Sequence, residues 1–213
     1  MASGMTFVDA INELVETIGE FPMAGSTKPS AQSTPDTTSI YYQAERFLSR
    51  ESQRFQSQGW PENTTLSKKF TATDSKIGIA NTVLRVRAAG PDRHRNLVIR
   101  DDSGTQRLYD ADRESFRFYE VDDYGHTSDG SVFLDVVDEL DFEDLPPLLQ
   151  DVVVAGSKMK FQRRMQGNST IDQQLVQEYV LAEQLLDRNK PLFPQNFNVA
   201  PKVGQSQPRG ESQ

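Results

Sequence analysis

The densest group of residues that could carry out chemistry is an acidic run in the second half of the chain. Its members are Asp135, Asp138, Glu139, Asp141, Glu143 and Asp144. A pair of carboxylates at a suitable separation hydrolyses glycosides, one as the acid and the other as the nucleophile or base. The run also fits a solvated connection from a strand to a helix, because acids near a helix N-terminus interact favourably with its dipole. We favour the second interpretation and keep Glu139 and Glu143 as the pair of an alternative hydrolase hypothesis.

Other catalytic and metal-binding patterns are weak. The two histidines, His94 and His126, lie far apart in polar segments, and the chain contains no cysteine. These residues do not supply a catalytic triad or a zinc site. The segment 122–130 carries oxygen ligands without EF-hand spacing, and the sequence contains no glycine-rich phosphate loop. We therefore predict a protein that is not an enzyme and has no catalytic residue, cofactor or metal.

Basic residues form two groups. The first lies in a segment with strand-like alternation and consists of Arg85, Arg87, Arg93, Arg95, Arg100 and Arg107. Such cations either blunt exposed strand edges or pair with an acidic patch of another subunit, and both interpretations stay open. The second group lies on a predicted helix and consists of Lys158, Lys160, Arg163 and Arg164. Its possible roles are surface charge, a contact with another protein, and the lining of a lumen; we favour the contact.

Composition limits the class of protein. The chain has 213 residues, a net charge of −8 and 36% hydrophobic residues. This length fits one domain, or one body with a smaller inserted module. No apolar run reaches the roughly 18 residues that span a membrane, and the N-terminal residues lack a signal-peptide pattern, so we expect folding in a cytoplasm. The negative charge argues against sequence-specific DNA binding through a broad basic face.

Four amphipathic helices are predicted from apolar residues at helical spacing. The first runs from an N-cap at Thr6, with Asp9 completing a capping box, to Gly19. Pro146 belongs to the first turn of the third helix, where a missing N–H is tolerated, and Thr170 caps the fourth. The second, third and fourth helices are predicted over 40–58, 144–166 and 170–188.

The end of the second helix has the pattern of a Schellman cap. Gly59 fits the left-handed C′ position, and Pro61 stops the helix. Trp60 and Phe55 then occupy the two positions that touch in this motif. We therefore expect the tryptophan, the only one in the chain, to have a structural role.

Between the second and third helices the hydrophobic period changes to that of strands. Strands are predicted over 64–66, 70–72, 82–87, 96–100, 106–110, 115–121 and 131–137, with a hairpin turn at 101–105. The segments 22–39 and 190–213 are polar and lack a period, so we interpret them as a long loop and an extended tail.

The predicted fold class is α+β, an antiparallel four-helix body with an inserted small antiparallel β module and an extended C-terminal tail. Its parts are 1–61 with helices 1 and 2, 62–140 with the β module, 141–189 with helices 3 and 4, and 190–213 with the tail.

Several short segments, taken in order, resemble a known family. They are Ala-Ile-Asn-Glu-Leu at 10–14 with Ile-Gly-Glu-Phe-Pro at 18–22, Ala-Glu-Arg at 44–46 with Arg-Phe-Gln-Ser-Gln-Gly-Trp at 54–60, Leu-Tyr-Asp at 108–110, and Leu-Asp-Phe-Glu-Asp-Leu-Pro at 140–146. In this order and spacing, residues 6 to 188 resemble the tail tubular protein A family of short-tailed, podovirus-type bacteriophages, which forms the head-to-tail adaptor. The segments 22–39 and after 190 depart from the family by being longer and more polar.

The resemblance implies a structural virion protein, assembled in the cytoplasm of the host bacterium. It implies a homo-oligomeric ring of twelve copies between the portal protein and a nozzle of the tail tubular protein B type, with a tail fibre near the adaptor–nozzle junction and double-stranded DNA passing through the lumen. The two basic groups are then candidate contacts with another subunit, the portal or the nozzle. Phe193 and Phe197 are candidate anchors in a tail that orders on binding.

Two other functions stay open. One is a tail-associated hydrolase of cell-surface polysaccharide that uses Glu139 and Glu143. The other is a soluble host-side binding module.

Overall fold

The computed structural model describes residues 4–118 and 130–189, which form an α+β fold with four α-helices and small antiparallel sheets. The helices are α1 (Phe7–Glu16), α2 (Ile40–Gln56), α3 (Pro147–Met165) and α4 (Ser169–Asn189). The strands are β1 (Thr64–Thr71), β2 (Val83–Ala88), β3 (Leu97–Asp102), β4 (Thr105–Asp110) and β5 (Ser131–Asp138). Among the described helices, none is both long and apolar enough to cross a membrane.

Helix α1 begins with the predicted capping box. The side-chain oxygen of Thr6 accepts a hydrogen bond of 3.1 Å from the N–H of Asp9, and the Asp9 carboxylate accepts one of 3.3 Å from the N–H of Thr6. Two N–H groups at the helix start, which have no partner within the helix, are thereby satisfied.

Helix α3 contributes more buried residues than any other described helix, and α1, α2 and α4 all pack against it. Val152, Val153 and Phe161 lie fully inside this core. Phe161 meets Phe47 of α2 edge to face, with ring centroids 5.8 Å apart, a geometry that aromatic pairs prefer. Helix α4 buries much less, with Leu175 and Leu186 as its buried residues.

Helix α2 ends in a modified Schellman cap. One of the two expected bonds forms, because Gly59, with φ of +84°, donates its N–H to the carbonyl oxygen of Gln56 at 3.0 Å. The second carbonyl, that of Phe55, accepts instead from the indole Nε1 of Trp60 at 2.8 Å. The backbone N–H of Trp60 is then free to bind Asn63 Oδ1 at 2.8 Å. Phe55 and Trp60 therefore meet as predicted, through a hydrogen bond that the Trp60 side chain donates to the backbone of Phe55.

Two predicted helix starts are wrong. Residues Phe142–Asp144 form a short 3₁₀ turn, so α3 begins at Pro147 with Pro146 as its N-cap rather than in its first turn. Helix α4 is capped by Asn168 instead of Thr170, because Asn168 Oδ1 accepts hydrogen bonds from the N–H groups of Thr170 and Ile171 at 3.0 and 3.3 Å. An asparagine side chain is a strong N-cap acceptor.

Strand β5 is the centre of a three-stranded antiparallel sheet with the order β1–β5–β2. Its residues Val132, Leu134, Val136 and Val137 are fully buried. The predicted strands 64–66 and 70–72 are one strand, β1, whose register shifts between Thr65 and Lys68. This irregularity has the character of a β-bulge, which bends an edge strand and redirects its side chains.

Strands β3 and β4 form the predicted hairpin. Ser103 and Gly104 make the turn with φ of +56° and +83°, the positive values required by a type I′ turn. The predicted strand 115–121 is wrong over its described part, because only Ser115 bridges to Asp110 and residues 116–118 are not a strand. Residues 119–121 lie outside the described ranges.

The long loop 22–39 packs against α2. Pro29 is buried and opens a 3₁₀ turn, Pro29–Ala31. The N–H of Ser30 donates to the Glu45 carboxylate of α2 at 2.8 Å, and the Tyr41 hydroxyl donates to the carbonyl oxygen of Phe21 at 2.9 Å. The loop thus has specific contacts that its polar composition did not predict.

Replacement of Trp60 should destabilise the protein. Trp60→Ala removes a buried ring and the donor for the Phe55 carbonyl, so we expect a loss of about 3–5 kcal/mol in the free energy of unfolding. Trp60→Phe keeps most of the buried area and should lose less. Urea titration followed by circular dichroism measures both, and equal midpoints for wild type and Trp60→Ala would show that the ring does not stabilise this junction.

Candidate interaction surfaces

The first group of arginines is divided by the fold. Arg87, Arg93 and Arg95 line a cleft of about 860 Å³ between β1, β2 and the segment 89–97. Arg85, Arg100 and Arg107 do not line this cleft. Arg85 lies opposite Val137 of β5 in the sheet register, and the other two are on the β3–β4 hairpin.

Two arginines of the cleft are held by carboxylates within the chain. Arg87 pairs with the buried Asp135 at 2.7 Å, and the other oxygen of Asp135 accepts from the N–H of Ser67 in the β1 bulge at 2.9 Å. Arg95 pairs with Asp110 at 2.7 Å and with Asp92 at 3.3 Å. These ion pairs neutralise much of the positive charge inside the cleft.

Arg93 and His94 are exposed at the mouth of the cleft. Within residues 4–118 and 130–189, neither side chain has an ion-pair partner. Of the sequence-predicted arginines in the cleft, Arg93 is therefore the one most available to another molecule.

The hairpin arginines have partners on the same hairpin. The Arg100 guanidinium stacks 3.9 Å from the centroid of the Tyr109 ring, a favourable cation–π contact. Arg107 Nε lies 3.1 Å from Asp102 Oδ2 as an ion pair, although the N–H is not aligned for a hydrogen bond. Lys76 binds the same carboxylate oxygen at 2.6 Å.

Asp110 is the most constrained carboxylate of the sheets. Its side chain is 1% exposed and accepts hydrogen bonds from Arg95 and from the N–H groups of Asp112 and Arg113. Burial alone would raise the pKa of this carboxyl, but the bonds from Arg95 and the two N–H groups outweigh it and lower the pKa below its ordinary value.

Three of the four cations on α3 connect helices. Lys158 lies 2.9 Å from Glu178 of α4 and 3.5 Å from Glu13 of α1. Arg163 pairs with Asp172 of α4 at 2.5 Å, and Lys160 pairs with Glu51 of α2. Arg164 is exposed and has no ion-pair partner within the described residues. A contact of this group with a portal or with another subunit stays a prediction. The same holds for the first group of arginines.

Glu51 was not identified from the sequence, although it joins α2 to α3. Its carboxylate is 3% exposed and binds both Lys160 of α3 and Arg54, the latter at 2.5 Å. Glu51 packs against Gly156 of α3, where an added Cβ would lie 3.0 Å from Glu51 Oε1 and 3.2 Å from the Tyr179 ring of α4. The small residue at position 156 therefore permits α2, α3 and α4 to meet around a buried charge.

The carboxylates of the hydrolase hypothesis have structural partners. Glu139 accepts hydrogen bonds of 3.1 and 3.2 Å from Gln53 of α2. Glu143 accepts from the N–H of Phe7 at 3.1 Å, at the start of α1. Glu139 also borders a cleft of about 400 Å³ with Glu45 and Asp141, whereas Glu143 does not line it. The described residues contain no cluster of His, Asp and Glu suited to a metal ion.

A third concave surface lies between the helices. It is a groove of about 250 Å³ between α1, α3 and α4, and its apolar lining includes Leu148, Val154, Leu181 and Leu185. Leu181 is 59% exposed. Because exposed apolar residues that cluster often mark an interaction site, this groove is a candidate contact surface that the sequence analysis did not identify.

The predicted anchors Phe193 and Phe197, the tail 190–213, and His126 with most of the segment 122–130 lie outside the described residues.

The family of the chain is indicated by one comparison. The model of the family described as Tail tubular protein matches residues 8–191. This range contains nearly all of α1 and the whole of every other described helix and strand. No curated protein matches the chain.

Removal of the Glu51 charge should cost stability. In Glu51→Gln the buried side chain loses its negative charge and one of the two oxygens that bind Lys160 and Arg54, so we expect a loss of about 1.5–3 kcal/mol. Asp172→Asn is the matched control, because it weakens the more exposed pair with Arg163, and about 0–1 kcal/mol is typical there. Chemical denaturation measures both variants, and equal losses would contradict a special role for Glu51.

The contribution of Asp110 should depend on pH. Because its pKa is lowered in the folded protein, the stabilisation is fully present above the unfolded value of about 3.9 and disappears as the pH falls through the folded value. Asp110→Asn should therefore cost about 3 kcal/mol at pH 7 and progressively less below about pH 4. Unfolding titrations at several pH values measure this difference. The exposed Asp187→Asn is the control, and a pH-independent difference for Asp110→Asn would refute the assignment.

Proposed function

The chain belongs to the tail tubular protein family and is a structural protein of the phage tail, and we propose that it is the ring-forming adaptor between the portal and the tubular nozzle. The family match over 8–191 is the observation that carries the proposal. It covers the helices and the sheets together, so the likeness extends to the whole described architecture rather than to a single motif.

The proposed assembly is a ring of twelve copies. Identical subunits close a ring when one surface of each copy binds a different surface of the next copy and the rotation closes. The cleft that Arg87, Arg93 and Arg95 line (the basic cleft) and the groove that Leu181 and Leu185 border (the apolar groove) are two such different surfaces on one chain. Portal protein and nozzle protein would bind the two faces of the ring, and a tail fibre would bind near the junction with the nozzle.

The two-part architecture suits an adaptor. We propose that residues 1–61 and 141–189 form an antiparallel four-helix body and that 62–140 form an inserted β module. The tail 190–213, with Phe193 and Phe197 as apolar anchors, would bind portal or nozzle during assembly. The outward cations Arg93 and Arg164 are the members of the two basic groups best suited to such contacts.

The net charge supports passage of DNA. Each copy carries −8, so a ring of copies is strongly electronegative. A lumen of that sign does not hold the phosphate backbone, and double-stranded DNA can slide through it during packaging and ejection. The contact with DNA is therefore transient and independent of base sequence.

We also propose that the protein is not an enzyme. The hydrogen bonds that Glu139 and Glu143 accept from Gln53 and Phe7 connect the strand-to-helix segment to α2 and α1. These structural bonds account for the two acids without a catalytic role. The alternative, a tail-borne hydrolase of cell-surface polysaccharide, requires that their carboxyl groups act on a substrate.

A phage that lacks this chain tests the proposal. We expect heads that carry a portal but no nozzle, because the ring that joins them is missing. Expression of the wild-type chain during infection should restore complete tails in electron micrographs. The control is the double variant Glu139→Gln/Glu143→Gln, which removes both candidate catalytic carboxylates and should restore tails as well as the wild type does.

Three outcomes would favour a role other than the proposed one. Complete tails in the absence of the chain would show that it does not join portal and nozzle. Tails that assemble with the double variant but no longer degrade the host polysaccharide would identify a hydrolase. A stable monomer in the presence of portal protein would favour a soluble binding module.

A further inference from the structure

The outer surface of α4 is apolar at helical spacing. Leu181 and Leu185 are 59% and 40% exposed and, four residues apart, lie on the same side of the helix. Both border the apolar groove against α3. An apolar cavity of roughly 150 Å³ accommodates a benzene molecule, so the groove of about 250 Å³ has room for an apolar side chain of another molecule.

The border of this groove is acidic. Glu13, Asp151 and Glu178 line it, and Lys158 is shared between Glu13 and Glu178. The side chain of Asp151 is exposed and has no ion-pair or hydrogen-bond partner within residues 4–118 and 130–189. Partial desolvation by the surrounding groove raises the pKa of its carboxyl. Three carboxylates and one lysine leave an excess of negative charge around an apolar surface. A partner that fits this surface presents an apolar side chain among cations.

Such a surface exists on the same chain at the mouth of the basic cleft. Leu66 is 46% exposed because it lies in the β1 bulge, at the edge of the sheet, where the register shifts. It borders the cleft together with Arg93 and His94. Lys68 follows two residues later and is exposed. The exposed carboxylate of Asp112 also lines the cleft, so Arg93 and Lys68 leave a small excess of positive charge. This surface therefore combines an apolar side chain with net positive charge.

We propose that the α4 surface with Leu181, Leu185 and Asp151 binds the Leu66 and Arg93 surface of a neighbouring copy of this chain. The inference rests on the proposed ring and names the two surfaces that form its repeating contact. Leu66 packs against the leucines of α4, and the exposed cations of the cleft face the acidic border of the groove. Opposite potentials on the two surfaces favour this orientation.

Charge also disfavours the simplest competing arrangements. Two α4 surfaces facing each other would place carboxylates against carboxylates, which costs free energy. Phe21 is 83% exposed and is a possible apolar contact, but its neighbour is Glu20, which repels the acidic border. The unlike pair of surfaces makes a heterologous contact, which continues from copy to copy and closes into a ring.

Cysteine cross-linking tests the contact, because the natural chain contains no cysteine. Leu66→Cys and Leu181→Cys place thiols at exposed positions of the two surfaces. Tail particles are assembled from each single variant and from the double variant, treated with a short bismaleimide, and separated on a denaturing gel. We expect the double variant to give a ladder of dimers, trimers and larger products, and each single variant to remain monomeric. Phe21→Cys/Leu181→Cys is the matched control and should also remain monomeric.

The alternative outcomes overturn the proposal. Dimers from Leu181→Cys alone would indicate an α4–α4 contact, and a ladder from the Phe21 control would identify a different surface. Monomers from the Leu66→Cys/Leu181→Cys variant would exclude the proposed pair. Electron microscopy of the same particles separates the two levels of the account. A ring without the ladder contradicts only this contact, whereas particles without a ring contradict the proposed function itself.

Discussion

The fold depends on how the chain leaves the helices and returns to them. Gln56, at the end of α2, is fully buried; its amide accepts from the N–H of Leu140 at 2.7 Å and donates to the Leu140 carbonyl at 3.1 Å. Asn63 donates to the Gln56 carbonyl at 3.0 Å, next to the contact of Trp60 with Phe55. The two ends of the segment 63–140 are thus held at one place. The adjacent strands β1 and β5 pair from there outward, which fixes the sheet with its basic cleft against the end of α2.

Local signals in the sequence predicted much of this architecture. The capping box of Thr6 and Asp9, the hairpin turn and the order of the four helices depend on residues close together in the chain, and the structure confirms them. Prediction was less accurate where neighbouring residues offered two alternatives for the same feature. Asn168 caps α4 in place of Thr170, and the β1 bulge at Thr65 and Lys68 made one strand look like two.

Buried polar residues were beyond sequence reasoning because their partners are distant in the chain. Glu51 binds Lys160, which follows 109 residues later, and nothing adjacent to Glu51 indicates burial. The same limit applies to the candidate contacts. The sequence showed that arginines are concentrated between residues 85 and 107. Which of them line the cleft and which lie on the hairpin depends on strand pairing. The apolar groove was hidden because Leu181 and Leu185 have the spacing of ordinary core residues.

The adaptor role depends most directly on where the chain lies in the tail and in how many copies. Class-averaged electron micrographs of isolated portal–tail complexes, combined with their native mass, measure both quantities. If the chain is the adaptor, these complexes contain a closed ring of twelve copies between the portal and the nozzle, with an open channel along its axis. One or a few copies per particle, or a position at the periphery of the tail, would contradict it.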